Sequence, residues 1–360
     1  SIIPGPKGNM FPISDAWCKR IEKSRQILLD EISMGRADTV DLIDRKLRQA
    51  FDETKPFGGI SMVFVGDHFQ LEPVVPSQGP EHERWKSMGY PSPFFFDSRV
   101  WQESDPKVIE LTKIFRQEGD DGFKDALNFI RNGDRQGLPL VNQRAKGLPI
   151  SGAIKLCFYN RDAQEINDRY FITEGTGEAM EWQSTLEGDW SEESLPSPRI
   201  LRLKVGHRVI ATANGKDAPY ANGDLGTVAE ITPDTVLVDF DRGFQEELSW
   251  HDWAGEEAEQ QADLGLEDAP PAKPADNFKQ IPLKLAYAIS VHKSQGMTLD
   301  KVHIVNRGKA FAHGQAYVML SRCKSLETMT LDRPMTPNDL IVHRRIREWH
   351  DQNFAKELVA

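Results

Sequence analysis

The sequence predicts an α/β protein with two parallel-sheet domains, the second interrupted by a small all-β segment. Three observations predict this architecture. Apolar strands that end in acids alternate with amphipathic helices, short strands with Asn-Gly and Gly-Asp turns fill residues 203–240, and α/β texture returns after residue 281. Strands that alternate with helices favour a parallel sheet, whereas short strands joined by such turns favour a small barrel.

The individual elements follow from their hydrophobic periodicity. Continuous apolar runs predict buried strands, and apolar residues at a spacing of three and four predict helices. The helix that ends near residue 131 also has Gly133 as a C-terminal stop signal. The predicted elements are the strands "RQILLD" (25–30), "GISMVFVGD" (59–67) and "AIKLCFYN" (153–160), and the helices "TVDLIDRKLRQAF" (39–51), "DGFKDALNFIRNG" (121–133) and "RDAQEINDRYF" (161–171).

The charge of the chain is unevenly distributed. The 360 residues carry a formal net charge of −11, yet residues 246–276 hold ten acids and one base, whereas 281–347 hold eleven bases and four acids. The acidic stretch predicts a flexible solvated insertion, and the basic stretch is compatible with nucleic acid. Three cysteines far apart form neither a disulfide framework nor a metal pattern, which indicates a reducing compartment. No apolar run has membrane-spanning length, and the first residues do not have the pattern of a signal peptide, so neither a membrane span nor a signal peptide is expected.

Acidic side chains follow the first two predicted strands. Asp30 and Glu31 end one strand and Asp67 ends the next, so all three are expected at the carboxyl edge of a parallel sheet, where such sheets bind ligands. In nucleoside triphosphatases an acid there holds Mg²⁺, and a neighbouring Glu positions the attacking water. The alternative is a helix cap. Gln70 lies where an amide could sense a phosphate or its attacking water, with a loop amide that bonds the backbone as the alternative.

Five ordered motifs then carry a resemblance to a known family. They are "LLDEISM", "KPFGGISMVFVGDHFQLEPV", "IFRQ", "PLKLAYAISVHKSQGMTLDKV" and "GQAYVMLSRCKSL". The chain resembles superfamily-one DNA helicases, and most closely the petite-integration-frequency (PIF) helicases with their RecD and Dda relatives. The resemblance covers residues 25 to 335.

The resemblance implies roles in ATP chemistry for five residues. Asp30 matches the motif II acid that holds Mg²⁺, and Glu31 matches the neighbour that positions the hydrolytic water. Gln70 matches motif III, which couples the γ-phosphate to bound DNA. Arg116 matches the motif IV arginine, and Arg322 the motif VI arginine, both of which reach the phosphates. A guanidinium suits this task because its fork pairs with phosphate oxygens and stays charged.

Motif V is matched by "HKSQG", residues 292 to 296. The resemblance implies that His292, Lys293 and Ser294 contact DNA phosphates, and that Gln295 and Gly296 face the nucleotide, as Asp67 is also expected to do. His292 is not a convincing metal ligand because no Cys or His lies at a useful spacing.

Two aromatic side chains, Phe57 and Phe69, could stack on bases, but core packing is the expected role of each.

The resemblance also implies a domain organisation, with two RecA-like domains, the first incomplete, and an SH3-like barrel inserted in the second. The expected parts are a pin or wedge remnant (1–26), a partial RecA-like domain 1A (27–113), domain 2A (114–200 and 281–347), the SH3-like insertion with its acidic segment (201–280), and a C-terminal tail (348–360).

The phosphate loop of such enzymes, G-x-x-x-x-G-K-[ST], does not occur in the sequence. Neither "GPKGNM" (5–10) nor "NGKDAPY" (214–220) fits it. We therefore expect either the C-terminal portion of a longer helicase or a degenerate helicase that retains DNA binding, and in both cases deficient ATP hydrolysis by this chain.

The predicted function is that of an ATP-dependent and Mg²⁺-dependent DNA helicase moving 5′ to 3′. Its expected partners are single-stranded DNA, forked duplex DNA and proteins of replication, repair or recombination, without a membrane and as a monomer. The expected location is the cytoplasm of a bacterial or phage system, or the nucleus or mitochondrion of a eukaryote. The alternatives are a non-catalytic single-strand binding or scaffold module and a RecD-like subunit of a nuclease–helicase complex.

Overall fold

The fold is described from a computed structural model of the chain. The described residues are 15–117, 119–187, 195–253 and 277–354. The chain divides into two compact units: unit 1 comprises Ser1–Ser151 and Ser294–Ala360, and unit 2 comprises Gly152–Lys293. The predicted domain boundaries stay predictions. Parts of four predicted segments lie outside the described residues: 1–14 of the pin remnant, 118 and 188–194 of domain 2A, 254–276 of the acidic segment and 355–360 of the tail.

Unit 1 contains a parallel pair of strands, β1 (Gln26–Leu29) and β2 (Ser61–Phe64), with Leu29 opposite Phe64 at the carboxyl ends. Helix α2 (Ala37–Ala50) connects them and buries the residues that the helical spacing selects, among them Leu47. The strand–helix–strand order predicted from the sequence is therefore present. Each strand is four residues long, so Asp30 and Asp67 lie beyond the strand ends in the loops that follow.

The core of unit 1 includes the C-terminal helix, α9 (Arg344–Phe354), whose Ile346 and Trp349 are buried. The Trp349 ring stacks on Phe96 with 4.8 Å between ring centroids. The predicted tail began at residue 348, inside this helix. Residues 348–354 of the predicted tail are therefore helical, because the apolar face that Ile346 and Trp349 form three residues apart continues the helix past residue 348.

The remaining elements of unit 1 lie around these two features. A second parallel pair joins β15 (Val302–Val305) and β16 (Met329–Leu331), and helix α8 (Gln315–Ser321) follows Gly314. The described helices are α1 (Asp15–Ser24), α3 (Pro80–Ser87), α4 (Arg99–Ser104), α5 (Asp121–Arg131), α6 (Leu138–Val141) and α8 (Gln315–Ser321), and the strands are β15 (Val302–Val305) and β16 (Met329–Leu331).

Unit 2 combines an α/β part with antiparallel sheets. Helix α7 (Asn160–Thr173) follows β3, which pairs in parallel with β14. A five-stranded antiparallel sheet runs in the order β10-β9-β8-β7-β13. The strands are β3 (Ile154–Cys157), β4 (Thr176–Gln183), β5 (Thr185–Glu187), β6 (Ile200–Val205), β7 (Arg208–Ala211), β8 (Leu225–Ile231), β9 (Thr235–Phe240), β10 (Phe244–Ser249), β11 (His251–Asp252), β12 (Asn277–Gln280), β13 (Leu283–Leu285) and β14 (Ala288–Ser290).

The antiparallel sheets of unit 2 agree with the predicted all-β texture of residues 203–240. Their buried side chains alternate with exposed ones, as the period of a half-buried strand requires. The five-stranded sheet also includes β13, beyond the predicted end of the insertion at residue 280. The likeness to an SH3 barrel stays a prediction. Among the described helices, none combines the length and the apolar character needed to cross a membrane.

Candidate nucleotide site

Asp30 and Glu31 form a sharp corner directly after β1. Glu31 has a φ of 52°, in the left-handed region, and its backbone N–H donates to Asp30 Oδ1 at 2.8 Å. The Asp30 side chain is exposed and the Glu31 side chain is half-buried. The structure thus places both carboxylates at the carboxyl end of a parallel strand, where the sequence predicted them. This turn gives the two neighbours different environments, one solvated and one facing the protein.

The loop after β2 is fixed by an ion pair between Asp67 and Arg131. Arg131 Nη2 lies 3.0 Å from Asp67 Oδ1, and the Phe69 N–H donates to the same oxygen at 3.1 Å. Burial raises the pKa of Asp67, but the Arg131 charge and these hydrogen bonds outweigh burial and hold the pKa below its usual range. The carboxylate predicted to face the nucleotide therefore takes part in the internal structure of this loop.

Gln70 lies in the same loop, with its backbone N–H donating to the Asp67 carbonyl at 2.8 Å. Its side-chain Oε1 is buried without a hydrogen-bond partner among the described residues. Such an atom is costly unless a ligand or water satisfies it. Gly314, which has a φ of +72°, packs closely against this loop. An added Cβ at this position would lie 2.4 Å from the Gln70 carbonyl oxygen. Only glycine fits there.

Gln295 connects motif V to motif II within unit 1. Its Nε2 donates to Glu31 Oε2 at 2.9 Å and lies 3.4 Å from Ser33 Oγ. Its Oε1 is buried without a hydrogen-bond partner in the described structure. Gly296 follows, and a Cβ there would lie 3.8 Å from Glu31 Oε1. Sequence analysis predicted these residues near the nucleotide, and the structure brings both beside Glu31.

Arg322 is the largest fully buried side chain among the described residues, with only 1% of its surface exposed. Its guanidinium donates to the Val318 carbonyl at 3.1 Å and to the Met297 carbonyl at 3.3 Å. The pKa of Arg322 is lowered to about 10, chiefly by burial and then by the charge of Arg116, while the charge of Glu31 acts in the opposite direction. The guanidinium remains charged at neutral pH despite this environment.

Arg116 lies beside Arg322 in unit 1. Its Nε donates to Thr298 Oγ1 at 2.9 Å and its Nη1 to the Ser321 carbonyl at 3.2 Å. The next residue, Gln117, is buried and donates to the carbonyls of Ser321 and Cys323 at 3.2 and 2.7 Å. Gln117 thereby fixes the segment that carries one arginine against the segment that carries the other.

The two guanidiniums lack a carboxylate partner. Neither Arg116 nor Arg322 forms an ion pair with any described residue, and Glu31 has the largest effect among the groups that raise the pKa of Arg322. A buried cation beside a second cation is unfavourable until an anion binds. We call the three charged residues the arginine cluster. Its geometry fits a phosphate group, because forked guanidiniums bind phosphate oxygens and the glutamate can orient a water beside them.

The residues present fit Mg²⁺ as well. Mg²⁺ is usually bound through one or two carboxylates together with phosphate oxygens and waters. Asp30 offers an exposed carboxylate at the strand end. Within the described residues, no group of three or more His, Cys, Asp or Glu side chains could hold a metal by itself. Asp30 would therefore share the ion with the phosphates.

The residues predicted to contact DNA divide between the two units. His292 and Lys293 belong to unit 2 and Ser294 to unit 1, within the single turn His292–Ser294. Lys293 is exposed, Ser294 is buried, and burial lowers the pKa of His292.

Sequence reasoning missed Arg131, Gln117 and Thr298, whose contacts position Asp67, Arg116 and Arg322. Gln117 adjoins the predicted residue Arg116, and Thr298 lies two residues after motif V. Their closeness in sequence to predicted residues could therefore have identified both. Arg131 had none, because its partner lies 64 positions away.

Comparison with known proteins gives a consistent result. The family model of the PIF1-like helicases matches residues 13–137. The human ATP-dependent DNA helicase PIF1 is 32% identical over 318 residues, which cover 84% of this chain and 45% of that protein. The chain spans about half the length of the curated relatives that it matches.

Solved structures extend the likeness to the fold. A structure of Pif1 helicases that unwind forked dsDNA as two coordinating molecules is 31% identical, with a TM-score of 0.76, and the match covers 98% of this chain and 80% of that one. Pif1 from Bacteroides in complex with ADP-AlF3 and ssDNA is 30% identical with a TM-score of 0.77, covering 98% and 81%. The α/β fold with parallel sheets is therefore confirmed.

Proposed function

Because the chain belongs to the PIF1-like helicase family, we propose that it contributes the hydrolysis and phosphate-sensing residues of an ATP-dependent DNA helicase. One observation carries this proposal. The arginine cluster places two guanidiniums without an ion-pair partner beside Glu31. A γ-phosphate supplies the anion that this arrangement lacks, and the glutamate lies where a hydrolytic water is required.

The proposed roles follow from these contacts. Arg116 and Arg322 neutralise the charge that develops on the transferred phosphoryl group, while Glu31 orients the attacking water. Gln295 fixes the Glu31 carboxylate through its 2.9 Å hydrogen bond, so motif V and the hydrolytic residue move together. Gln70 offers its unpaired Oε1 to the same region. Asp30 holds Mg²⁺, which when bound neutralises phosphate charge.

The proposed track is single-stranded DNA, with forked duplex as the substrate for unwinding. The relatives bound to ssDNA and active at forked dsDNA support this. His292, Lys293 and Ser294 are the proposed phosphate contacts. Affinity would come mostly from the DNA backbone, so binding should weaken with salt and show little sequence preference. The 5′ to 3′ direction, the monomeric state, protein partners and cellular location stay predictions.

The chain alone is proposed to hydrolyse ATP poorly. Its sequence contains no phosphate loop, whose backbone amides and lysine cradle the β- and γ-phosphates. Without this cradle the arginine cluster contacts a nucleotide whose remaining phosphates are loosely bound. Binding of ATP·Mg²⁺ is therefore the more direct property to measure.

The test combines ATP binding with ATP turnover, each with and without oligo(dT), for the chain and its Glu31→Gln variant. We expect weak turnover, measurable ATP binding that oligo(dT) strengthens, and unchanged or tighter ATP binding in the variant because an anion beside the phosphates is removed. Robust turnover that Glu31→Gln abolishes would contradict the proposed dependence on the phosphate loop. ATP binding that oligo(dT) leaves unchanged would favour a non-catalytic DNA-binding module.

A further inference from the structure

Unit 2 contains a cavity of about 630 Å³ outside the arginine cluster. It is lined by α7, the segment 195–202 that leads into β6, strands β13 and β14, and Lys293. Pockets that bind small ligands have volumes of roughly 300–1,000 Å³, so a nucleotide-sized group has room here. We call this space the lysine cavity. All of its lining residues belong to unit 2.

Two ammonium groups, those of Lys284 and Lys293, line this cavity. Lys284 lies on β13 between two leucines, and since side chains alternate along a strand, it points away from the buried Leu283. Its side chain forms no hydrogen bond or ion pair with the described residues. Burial lowers the pKa of Lys284 to about 8, and the charge of Lys293 acts in the same direction. No carboxylate offsets these two effects.

Neutral donors line the same space. Ser290 is 1% exposed, lines the cavity, and its Oγ has no hydrogen-bond partner among the described residues. Helix α7 begins at Asn160 beside the cavity, and its N-terminus has no side-chain cap, so its first amides are available to an anion. A hydroxyl, free helix amides and two ammonium groups are the donors that recognise a phosphate.

The acids nearby are already engaged. Asp168 lines the cavity and accepts a hydrogen bond from Gln164 at 2.7 Å. Asp162, in the first turn of α7, pairs with Arg161 at 3.3 Å. Arg202, also on the lining, pairs with a glutamate on β4. The lining carries one carboxylate, Asp168, against the two lysines and two arginines, so its net charge is positive.

We propose that the lysine cavity binds one backbone phosphate of single-stranded DNA, with Lys284 and Ser290 as its contacts and Lys293 at its rim. This inference rests on the proposed function only in taking single-stranded DNA as the ligand. A lone phosphate ion would share the same chemistry, but the cavity volume leaves space for the attached nucleoside. Lys284 lies within the quoted motif "PLKLAYAISVHKSQGMTLDKV", but no role for it was predicted from the sequence.

The experiment measures binding of fluorescein-labelled oligo(dT) by anisotropy across a salt series. Lys284→Gln removes the charge, Lys284→Arg keeps it, and Lys279→Gln is the matched control, since Lys279 lies on β12 and pairs with Asp252 away from the cavity lining. We expect Lys284→Gln to weaken binding about tenfold and to lower the salt slope by about 0.7, because one phosphate contact is lost. The arginine variant and the control should bind like the unmodified chain.

A chemical footprint gives an independent measurement. An amine-reactive acylating reagent modifies Lys284, and oligo(dT) should protect it, as read by mass spectrometry. Equal affinity and salt slope in Lys284→Gln and the unmodified chain would overturn the proposal while DNA binding itself stands. Protection by inorganic phosphate but not by oligo(dT) would assign the cavity to free phosphate and overturn the DNA assignment. An unmodified chain that fails to bind oligo(dT) at any salt would refute the DNA-binding part of the proposed function as well.

Discussion

The arginine cluster of unit 1 and the lysine cavity of unit 2 both place together two cations that form no ion pair with a described residue, but they use different groups. Arg322 is fully buried and bonded to backbone carbonyls, whereas Lys284 is partly buried and has no partner among the described residues. Guanidinium stays charged under almost all conditions, whereas a desolvated ammonium loses its proton readily. One site therefore attracts anions at any working pH, and the other only while its lysine is protonated.

This difference matches what each proposed ligand requires. A γ-phosphate must be held in one geometry, and guanidiniums that are hydrogen-bonded to backbone carbonyls are rigid enough to hold it. A DNA backbone must be released and rebound at each step, which a flexible ammonium on a long stem permits. The comparison predicts that the two sites respond differently to substitution, ligand and pH.

The largest expected effect concerns Arg131, a cation that does form an ion pair, with Asp67. Arg131→Gln should lower the free energy of unfolding by about 3–5 kcal/mol, because it leaves the Asp67 carboxylate largely buried and unpaired. Urea unfolding followed by tryptophan fluorescence measures this. The double variant Arg131→Gln, Asp67→Asn should lose clearly less. A loss below about 1 kcal/mol in the single variant would show that the pair is as unimportant as an exposed one.

The next effect concerns the arginine cluster. Arg322→Gln should weaken ATP·Mg²⁺ binding about 100-fold and ADP binding far less, because only ATP carries the γ-phosphate. Equilibrium titration with fluorescent analogues of both nucleotides measures the ratio. Arg344→Gln is the control, since that exposed arginine pairs with Glu348 on α9. Equal losses for both nucleotides would mean that Arg322 supports the fold and does not contact the γ-phosphate.

The third effect has the opposite sign. Lys284→Met should raise the free energy of unfolding by about 1–3 kcal/mol at pH 7. The folded state lowers the pKa of Lys284 from 10.5 to about 8, so it disfavours the charged form that the unfolded chain carries at that pH. Thermal and urea unfolding measure the gain, with Lys279→Met as control. A loss of stability would show that the lysine stem packs favourably and that its charge is solvated.

The smallest effect separates the two sites by pH. Affinity for oligo(dT) should fall up to about tenfold between pH 7 and pH 9, because Lys284 loses its proton as the pH rises through its pKa of about 8. The other charged groups on the cavity lining are Arg161, Asp168, Arg202 and Lys293. Lys284→Arg should remove this dependence. The preference for ATP over ADP should stay level across the same range, since the pKa of Arg322 is about 10.

The sequence was informative where function follows local order. The positions of Asp30 and Asp67 in the loops after β1 and β2 were predictable, because each hydrophobic run stops near a charged residue and parallel pairing brings such ends to one edge. The approach of Gln295 to Glu31 was not predictable from spacing, because the two are 264 positions apart. Only the resemblance to a family with ordered motifs suggested it.

Other features were hidden because they depend on packing. The helix of residues 344–354 extends through a segment predicted to be a tail. The sequence did not indicate this helix, because it has only two buried apolar residues among many charged ones. The burial of Lys284 could not be predicted, because one lysine in a strand has the same sequence signature whether its side chain is solvated or enclosed. The burial that lowers its pKa arises from α7, β6 and β14, which meet only in the folded chain.

The contact of Gly314 with the Gln70 carbonyl has a consequence for which missense variants the gene can tolerate. Because a Cβ at position 314 would lie 2.4 Å from that oxygen, every missense codon there should behave as a loss of function, whatever the chemistry of the new side chain. In a saturation screen of the gene, this position should tolerate nothing, whereas the neighbouring exposed Phe311 should tolerate much. Intolerance at position 314 would then show, without any added nucleotide, that function requires the close packing of motif VI against motif III.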